Sequence, residues 1–461
     1  MKILLVNPSQ SGVYGKMNPP DYPPMGLAYI GAVLEKAGHG VRIIDISADK
    51  ISNNYFAGIL GDYDLVGLTA TTPTFRSAEL LCRLVKENSS AITILGGIHA
   101  TIAPEECAKS GFIDYVVRGE GEETIAELVT ALEKNKEVKK IKGLSFKNKG
   151  KVIHTPNREL IKNLDEIPFP ARHLFNHQKY TYPDSLLNPV MPIMTSRGCP
   201  HGCTYCCTKL IFSRRVRFRS AKNVVDEIEC LIKRYGVKEI HFWDDNFTLN
   251  KQRVFEIRDE LKKRKIKLNF AFPNGLRVDQ VDEEILRCLK EMGVYSMAFG
   301  VESGNQIILD NVKKGTNIAQ IEKAYSLAKK LGFETWGFFM LGLPGETEET
   351  IKKTISFAKK INPDVAKFHI LKPFPGTEVF NELKEKGLIT NFNYSDYGIH
   401  THPVHRLPNL SEDDLLNWSK KAYRQFYLRP SKMLNQLLRL KSFERIRLNI
   451  KTAISLLSSM K

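Results

Sequence analysis

The pattern that most restricts this chain is a twofold alternation of short β-branched runs with longer helical stretches, interrupted by one polar, proline-rich segment. Over residues 1–140 the runs "KILLV", "VRIID", "LVGLT", "ITIL" and "DYVV" read as strands. Helical periodicity falls near residues 26–37, 74–86 and 122–134. Strands separated by helices are joined by crossovers and pair in parallel. The expected fold is therefore α/β, opening with a doubly wound, flavodoxin-like sheet of five parallel strands. Ligands of such sheets sit beyond the carboxyl ends of the strands.

Residues 141–190, with "NKGK" and "IPFPARHLF", lack periodicity and read as a linker. A second series begins at "PIMTS" (192–196) and runs through "EIHFWD", "LNFAF", "YSMAFG", "TWGFFM" and "AKFHIL". Amphipathic helices separate these runs near 221–235, 251–264, 281–291, 317–331 and 346–360. Six such repeats over residues 191–390 predict a partial (β/α)6 barrel of TIM type. Polar or glycine-rich residues follow every one of its strands: "RGCPHGC", Asp244–Asp245–Asn246, "PNGLR", "GVESG", "GLPGE" and "KPFPGT". Barrels of this kind keep their chemistry at those ends. Residues 391–461 read as a loop followed by a basic helical region.

The net charge of +17 is unevenly placed. From Lys420 to Lys461 there are eleven Lys or Arg against one acid, Glu444, so a tail with its own partner explains the charge better than a basic catalytic groove. Within 431–461, Leu434, Leu438, Phe443, Ile446, Ile450, Ala453, Ile454 and Leu457 recur at helical intervals among the cations. Such a helix suits peripheral contact with an anionic membrane, or packs on the barrel with its basic face in solvent. The arginines at 214, 215, 217 and 219 read as a solvated face or as a contact to a cofactor phosphate. With no apolar run long enough to span a bilayer, and no cleavage pattern after "MKILLVNPS", the expected compartment is the cytoplasm.

Half of the eight cysteines crowd into "SRGCPHGCTYCC" (196–207). In a reducing compartment, spacing of this kind points to metal or redox chemistry rather than disulfides. Cys199, Cys203 and Cys206 form a C-x3-C-x2-C set, and no second pair completes a zinc knuckle. Thiolates are the usual ligands of iron–sulfur clusters, and three of them leave one iron of a [4Fe–4S] cube open. Cys82, Cys107, Cys230 and Cys288 are scattered and read as small buried residues.

At "CPHGCTYC", with Tyr205 before the last cysteine, the chain resembles the radical S-adenosylmethionine enzymes. The resemblance implies that Tyr205, Asp244, Asp245, Arg277 and Glu302 contact S-adenosylmethionine: the aspartates near its amino group, Arg277 and Glu302 near its carboxylate and ribose. It also implies an external one-electron reductant and a 5′-deoxyadenosyl radical that abstracts hydrogen from an unactivated carbon.

In the first domain the dinucleotide fingerprint is missing. Thr69 and Thr71 follow the third strand, Gly96 and Gly97 the fourth, and "RGEGEET", with Gly119 and Gly121, the fifth. These resemble the small-residue loops of cobalamin-binding domains. Residues 8–25 contain no histidine, His39 lies in the wrong loop and His99 belongs to "GGIHAT", so the resemblance implies cobalamin without a histidine lower ligand.

The family so indicated, cobalamin-binding radical enzymes of the class B methyltransferase type, implies methyl transfer to a carbon. Cyclisation, oxidation or rearrangement without methyl transfer is the alternative. The substrate expected is a small molecule of hydrophobic character, and no specific nucleic acid is expected. An RNA methylthiotransferase would need three further cysteines in the first domain, where only Cys82 and Cys107 stand. A non-catalytic cobalamin sensor would leave the cysteine loop without purpose.

Overall fold

In a computed structural model of the protein, residues 1–10, 13, 22–180, 182 and 185–433 are described. The first sheet is built on β1 (Lys2–Asn7), β2 (Gly40–Asp45), β3 (Leu65–Thr69), β4 (Ile92–Gly96) and β5 (Tyr115–Val117). They lie side by side in the order β2-β1-β3-β4-β5, all parallel. Alternation along each strand sends side chains to opposite faces. Leu4, Val6, Leu68 and Leu95 pack with Phe75, Ala78 and Val85 of the helix Phe75–Asn88. Ile3, Leu5, Leu65 and Ile94 pack with Leu27 and Leu34 of Met25–Lys36 and with Leu128 of Glu122–Glu133. Both faces are therefore covered, as a parallel sheet requires.

The sheet does not stop at five strands. Residues expected in the linker form β6 (Leu144–Asn148) and β7 (Lys151–His154), which extend it antiparallel to seven. Lys149 and Gly150, at φ 48° and 82°, make the two-residue turn between them. Two left-handed residues give the turn twist that a tight hairpin needs. "NKGK" thus marks a hairpin rather than the middle of a linker. The rest of the connecting segment is tied to both sides. The Ala171 amide donates to the Ala28 carbonyl, while Arg172 pairs with Glu227 at 2.7 Å and donates to the Pro192 carbonyl at 2.8 Å.

The second sheet has six parallel strands: β8 (Val190–Ile193), β11 (Glu239–Phe242), β12 (Asn269–Leu276), β13 (Val294–Glu302), β14 (Glu334–Leu341) and β15 (Val365–Ile370). The first begins at Val190, two residues before the expected start, and the strands follow one another in chain order. Helices Ala221–Tyr235, Lys251–Lys263, Glu283–Met292, Ile318–Lys330 and Glu348–Ile361 cover the outer face. Side chains of Ser220, Asn250, Asp282, Asn317 and Thr347 cap their N-termini and satisfy amides left open by the helical pattern.

A further helix, Glu412–Tyr427, closes the edge: Tyr423 Oη accepts from the Phe368 amide at 3.1 Å and Tyr427 Oη from the Ala366 amide at 2.9 Å. Most of the basic tail assigned to 431–461 lies outside the described residues, from 434 onward. At its start, Lys432 donates to the Pro363 carbonyl and lies over the Phe426 ring. Among the described residues no helix is long and apolar enough to cross a membrane.

Candidate functional site

Between β8 and the helix Ala221–Tyr235 the chain makes a two-residue antiparallel ribbon, β9 (Ser196–Arg197) with β10 (Arg217–Phe218). The ribbon closes the loop 198–216 that carries the cysteines. Gly198, at φ 96°, needs the freedom of glycine, because a Cβ there would lie 2.1 Å from the Arg215 carbonyl oxygen. Farther along, the Thr204 amide donates to the Val312 carbonyl at 3.0 Å and the Thr204 carbonyl accepts from Val379 at 3.2 Å. Cys203 is buried, Cys199, Cys206 and Cys207 half-buried, and Cys207 heads the short helix Thr208–Phe212.

Among the described residues no three His, Cys, Asp or Glu side chains converge so as to hold a single metal ion. Thiols spread around one loop instead suit a polynuclear cluster, in which each iron takes one thiolate. Burial raises the Cys199 and Cys206 thiols, so their ionisation calls for a cationic partner in the loop.

The aspartates after β11 act on this loop differently. Asp244 is buried: Oδ1 accepts from the Thr195 amide (3.1 Å), Thr195 Oγ1 (2.7 Å) and Ser196 Oγ (2.5 Å). Burial raises its carboxyl, while Arg253 and these donors act against the rise. Asp244 thus braces residues 195–196. Asp245 accepts from the Gly198 amide at 2.9 Å and from Thr208 Oγ1 at 3.4 Å and keeps an exposed edge.

Tyr205, Arg277 and Glu302 converge on a residue that sequence reasoning passed over. Lys314 Nζ stands 2.7 Å from Glu302 Oε1 and 3.5 Å from the Tyr205 hydroxyl. Its carbonyl accepts from Arg277 Nη2 at 2.9 Å, and Arg277 also makes a two-pronged contact to Asp279 at 2.9 Å. Glu302 ends β13 at φ 63°, beside a register shift between Gly300 and Glu302. A non-glycine residue held there is strained, and such strain gathers at functional sites. Lys314 lies twelve residues from Glu302, beyond the short helix Gln306–Asn311, and no local pattern marks it.

On the first sheet, Thr69 and Gly96 end neighbouring strands, and the Ala70 amide donates to the Gly96 carbonyl at 3.0 Å. Thr71 caps the turn at 72–74 by exchanging bonds with Thr74. Gly97, at φ 96°, stands so close to the neighbouring strand end that a Cβ would meet the Ala70 carbonyl oxygen and Thr69 Oγ1 at 2.7 Å. A Cβ on Gly119 (φ 73°) would meet nothing within 4 Å among the described residues, whereas one on Gly121 would meet Ile30 at 3.1 Å. These small residues thus share one end of the sheet. His99 is fully buried between the rings of Phe75 (4.4 Å) and Tyr394 (5.1 Å), with Nδ1 3.3 Å from Thr72 Oγ1. Burial lowers its pKa to about 4, so the ring is neutral.

A parallel sheet with glycine loops at its carboxyl edge, followed by a six-stranded partial barrel presenting three cysteines, defines a two-part cofactor enzyme. The family models match in the same places. The B12 binding domain covers residues 16–129 and the Radical SAM superfamily covers 193–358. An uncharacterized methyltransferase of Pyrococcus horikoshii is 38% identical over 444 residues, 95% of this chain and 95% of the relative. The anaerobic magnesium-protoporphyrin IX monomethyl ester cyclase of Rubrivivax gelatinosus is 31% identical over 438 residues, 93% of this chain and 78% of the relative. In fold, the cobalamin-dependent radical enzyme OxsB aligns with a TM-score of 0.74 at 18% identity, covering 100% of this chain and 71% of OxsB. The methyltransferase TsrM of Kitasatospora setae aligns at 0.70 and 21% identity, covering 84% and 75%. The chain belongs to the cobalamin-binding radical S-adenosylmethionine enzymes.

Proposed function

We propose that this enzyme methylates an unactivated carbon of a small hydrophobic molecule, with an external one-electron reductant and three cofactors: a [4Fe–4S] cluster, S-adenosylmethionine and cobalamin. When bound, these groups supply the electron, the radical and the methyl group. Cys199, Cys203 and Cys206 would hold the cluster, and the open fourth position would receive the amino acid end of S-adenosylmethionine. Asp245, Arg277, Glu302 and Tyr205 would orient that cofactor, with Lys314 fixing Glu302. Thr69, Thr71, Gly96, Gly97, Gly119 and Gly121 would shape the cobalamin site.

The observation that carries this reading is the placing of a three-thiol loop at the carboxyl end of β8, beside the buried Lys314–Glu302 pair. The 38% relationship to a methyltransferase along nearly the whole chain supports the choice of reaction. The cyclase relative supports a second reading, radical cyclisation without methyl transfer. Domain limits at 154, where the hairpin of the first sheet ends, 190 and 390, a cytoplasmic setting and membrane contact through 431–461 complete the proposal. The test is anaerobic turnover with a reductant and cell extract. S-adenosylhomocysteine and a methylated product beside 5′-deoxyadenosine support methyl transfer, and 5′-deoxyadenosine without the other two sinks it.

A further inference from the structure

The loop at 119–121 does more than leave space. Glu120 stands between its two glycines, with a side chain only 4% exposed, and reaches across to the ribbon that closes the cysteine loop. Arg197 Nη1 donates to Glu120 Oε1 at 2.7 Å, and Arg217 Nη1 donates to Glu120 Oε2 at 2.6 Å. Arg197 and Arg217 are register partners on β9 and β10, so one carboxylate grips both arms of the ribbon.

Neighbouring groups complete the grip. Arg197 Nη2 donates to Glu122 at 2.5 Å, and the Arg197 guanidinium lies 5.3 Å from the Tyr29 ring. The Ile161 amide donates to Glu120 Oε2 at 2.9 Å, and the Ile161 carbonyl accepts from Arg217 at 2.6 Å. Arg217 Nε and Nη2 find no acceptor among the described residues, so Glu120 is the only carboxylate paired with Arg217 there. Burial works against ionisation of Glu120, yet Arg217 and Arg197 outweigh it and hold the carboxyl below its ordinary range. The two glutamates and two arginines balance in charge, which a buried cluster needs.

We infer that Glu120 is a positioning residue that transmits occupation of the first sheet's glycine loops to the cysteine loop. This rests on the reading that those loops take a corrinoid. The mechanical route is short. Glu120 is one residue from Gly119 and from Gly121, and Arg197 is two residues from Cys199, with Gly198 locked against Arg215. A ligand that orders 119–121 must therefore order the ribbon, unless the carboxylate lets go.

The test uses the full chain with its cluster reconstituted, and hydroxocobalamin as the probe. Amide hydrogen exchange is followed with and without the corrinoid, in wild type and in Glu120→Gln. In wild type, hydroxocobalamin should slow exchange both in the first domain and across 196–218, the latter on the order of tenfold, within the range usual for coupling between sites. In Glu120→Gln the first-domain protection should remain while that of 196–218 falls away. Equal protection of 196–218 in both proteins overturns the inference. Protection of the first domain alone in wild type overturns it too, leaving the corrinoid reading intact. No protection anywhere overturns both. Should Glu120→Gln not fold, Glu120→Asp decides: it keeps the charge but is one methylene too short to span both arginines, and the same loss is expected.

Discussion

Lys314 and Glu302 meet at 2.7 Å directly over Gly300, where a Cβ would lie 2.7 Å from Glu302 Oε1 and 2.9 Å from Lys314 Nζ. The pair and the bare backbone beneath it are one device: glycine gives the room, the left-handed Glu302 turns its carboxylate into that room, and Lys314 balances the charge. Removing one partner of a buried pair leaves the other uncompensated, which costs about 3–5 kcal/mol. Lys314→Met should lower stability by that order in urea unfolding. It should also weaken S-adenosylmethionine binding in equilibrium dialysis, with cluster content unchanged.

The cysteines divide three to one. Cys203→Ala should abolish the visible absorbance of the reconstituted cluster, whereas Cys207→Ala should leave it largely intact. Cys207 heads a helix, and its neighbour Cys206 is the residue tied to Thr208, with Sγ 3.3 Å from Oγ1. Bleaching by Cys207→Ala would require a fourth protein ligand.

Two glycines of the first sheet should respond unequally to alanine. At Gly97 the added Cβ meets backbone at 2.7 Å in addition to its positive φ. Strain and overpacking of about 1–3 kcal/mol each should add there. Gly119 is also left-handed but meets nothing within 4 Å among the described residues, so only the conformational cost of about 1–2 kcal/mol applies. Thermal melts together with hydroxocobalamin retention on gel filtration would show Gly97→Ala failing both and Gly119→Ala keeping its fold.

His405 gives an acid limit to stability. It is fully buried, Nε2 donates to the Gly342 carbonyl at 2.8 Å, and burial lowers its pKa from 6.5 to about 4. The unfolded chain therefore takes up the proton first as pH falls, and stability drains away between 6.5 and about 4. Each such group contributes about 1.4 kcal/mol per pH unit. Glu346, raised to about 8 by burial against the amides of Gly342 and Leu343 that hold it, acts in the opposite direction, since acid relieves its buried charge. Glu346 is common to both proteins, so His405→Gln should flatten the slope of unfolding free energy against pH between 6 and 4.5 by about 1.4 kcal/mol per unit. Denaturant titrations at three pH values would measure it.

Much of this architecture could be read from residue order. β-branched runs such as "KILLV" and "LVGLT" became strands because a covered parallel sheet needs apolar residues on both faces. The cysteine loop was legible because thiol spacing and strand position agree. What escaped was held by contacts between distant segments. "NKGK" reads as linker because four polar residues look alike in a turn and in a loop, and only strand pairing such as that of Ser145 with His154 tells them apart. From sequence the arginines at 217 and 219 look solvated or phosphate-binding. Their partners, Glu120 and Glu227, lie 97 and 8 residues away. The hold of Asp244 on Thr195 and Ser196 is hidden for a related reason, since those residues lie 49 and 48 positions before it.

The ribbon at Ser196–Arg197 and Arg217–Phe218 has a bearing on how the metal centre is assembled. The entropy of bringing the ends of a loop together grows only slowly with length, yet it must be met before distant ligands can share one group. Here the loop ends are already joined by backbone pairing and by Glu120, and the middle is pinned at Thr204. Metal arrival therefore need not fold the loop, in contrast to small metal-dependent domains whose binding energy is their folding energy. The cysteine loop is organised as a socket, and apoprotein stripped of iron should refill without passing through an unfolded chain.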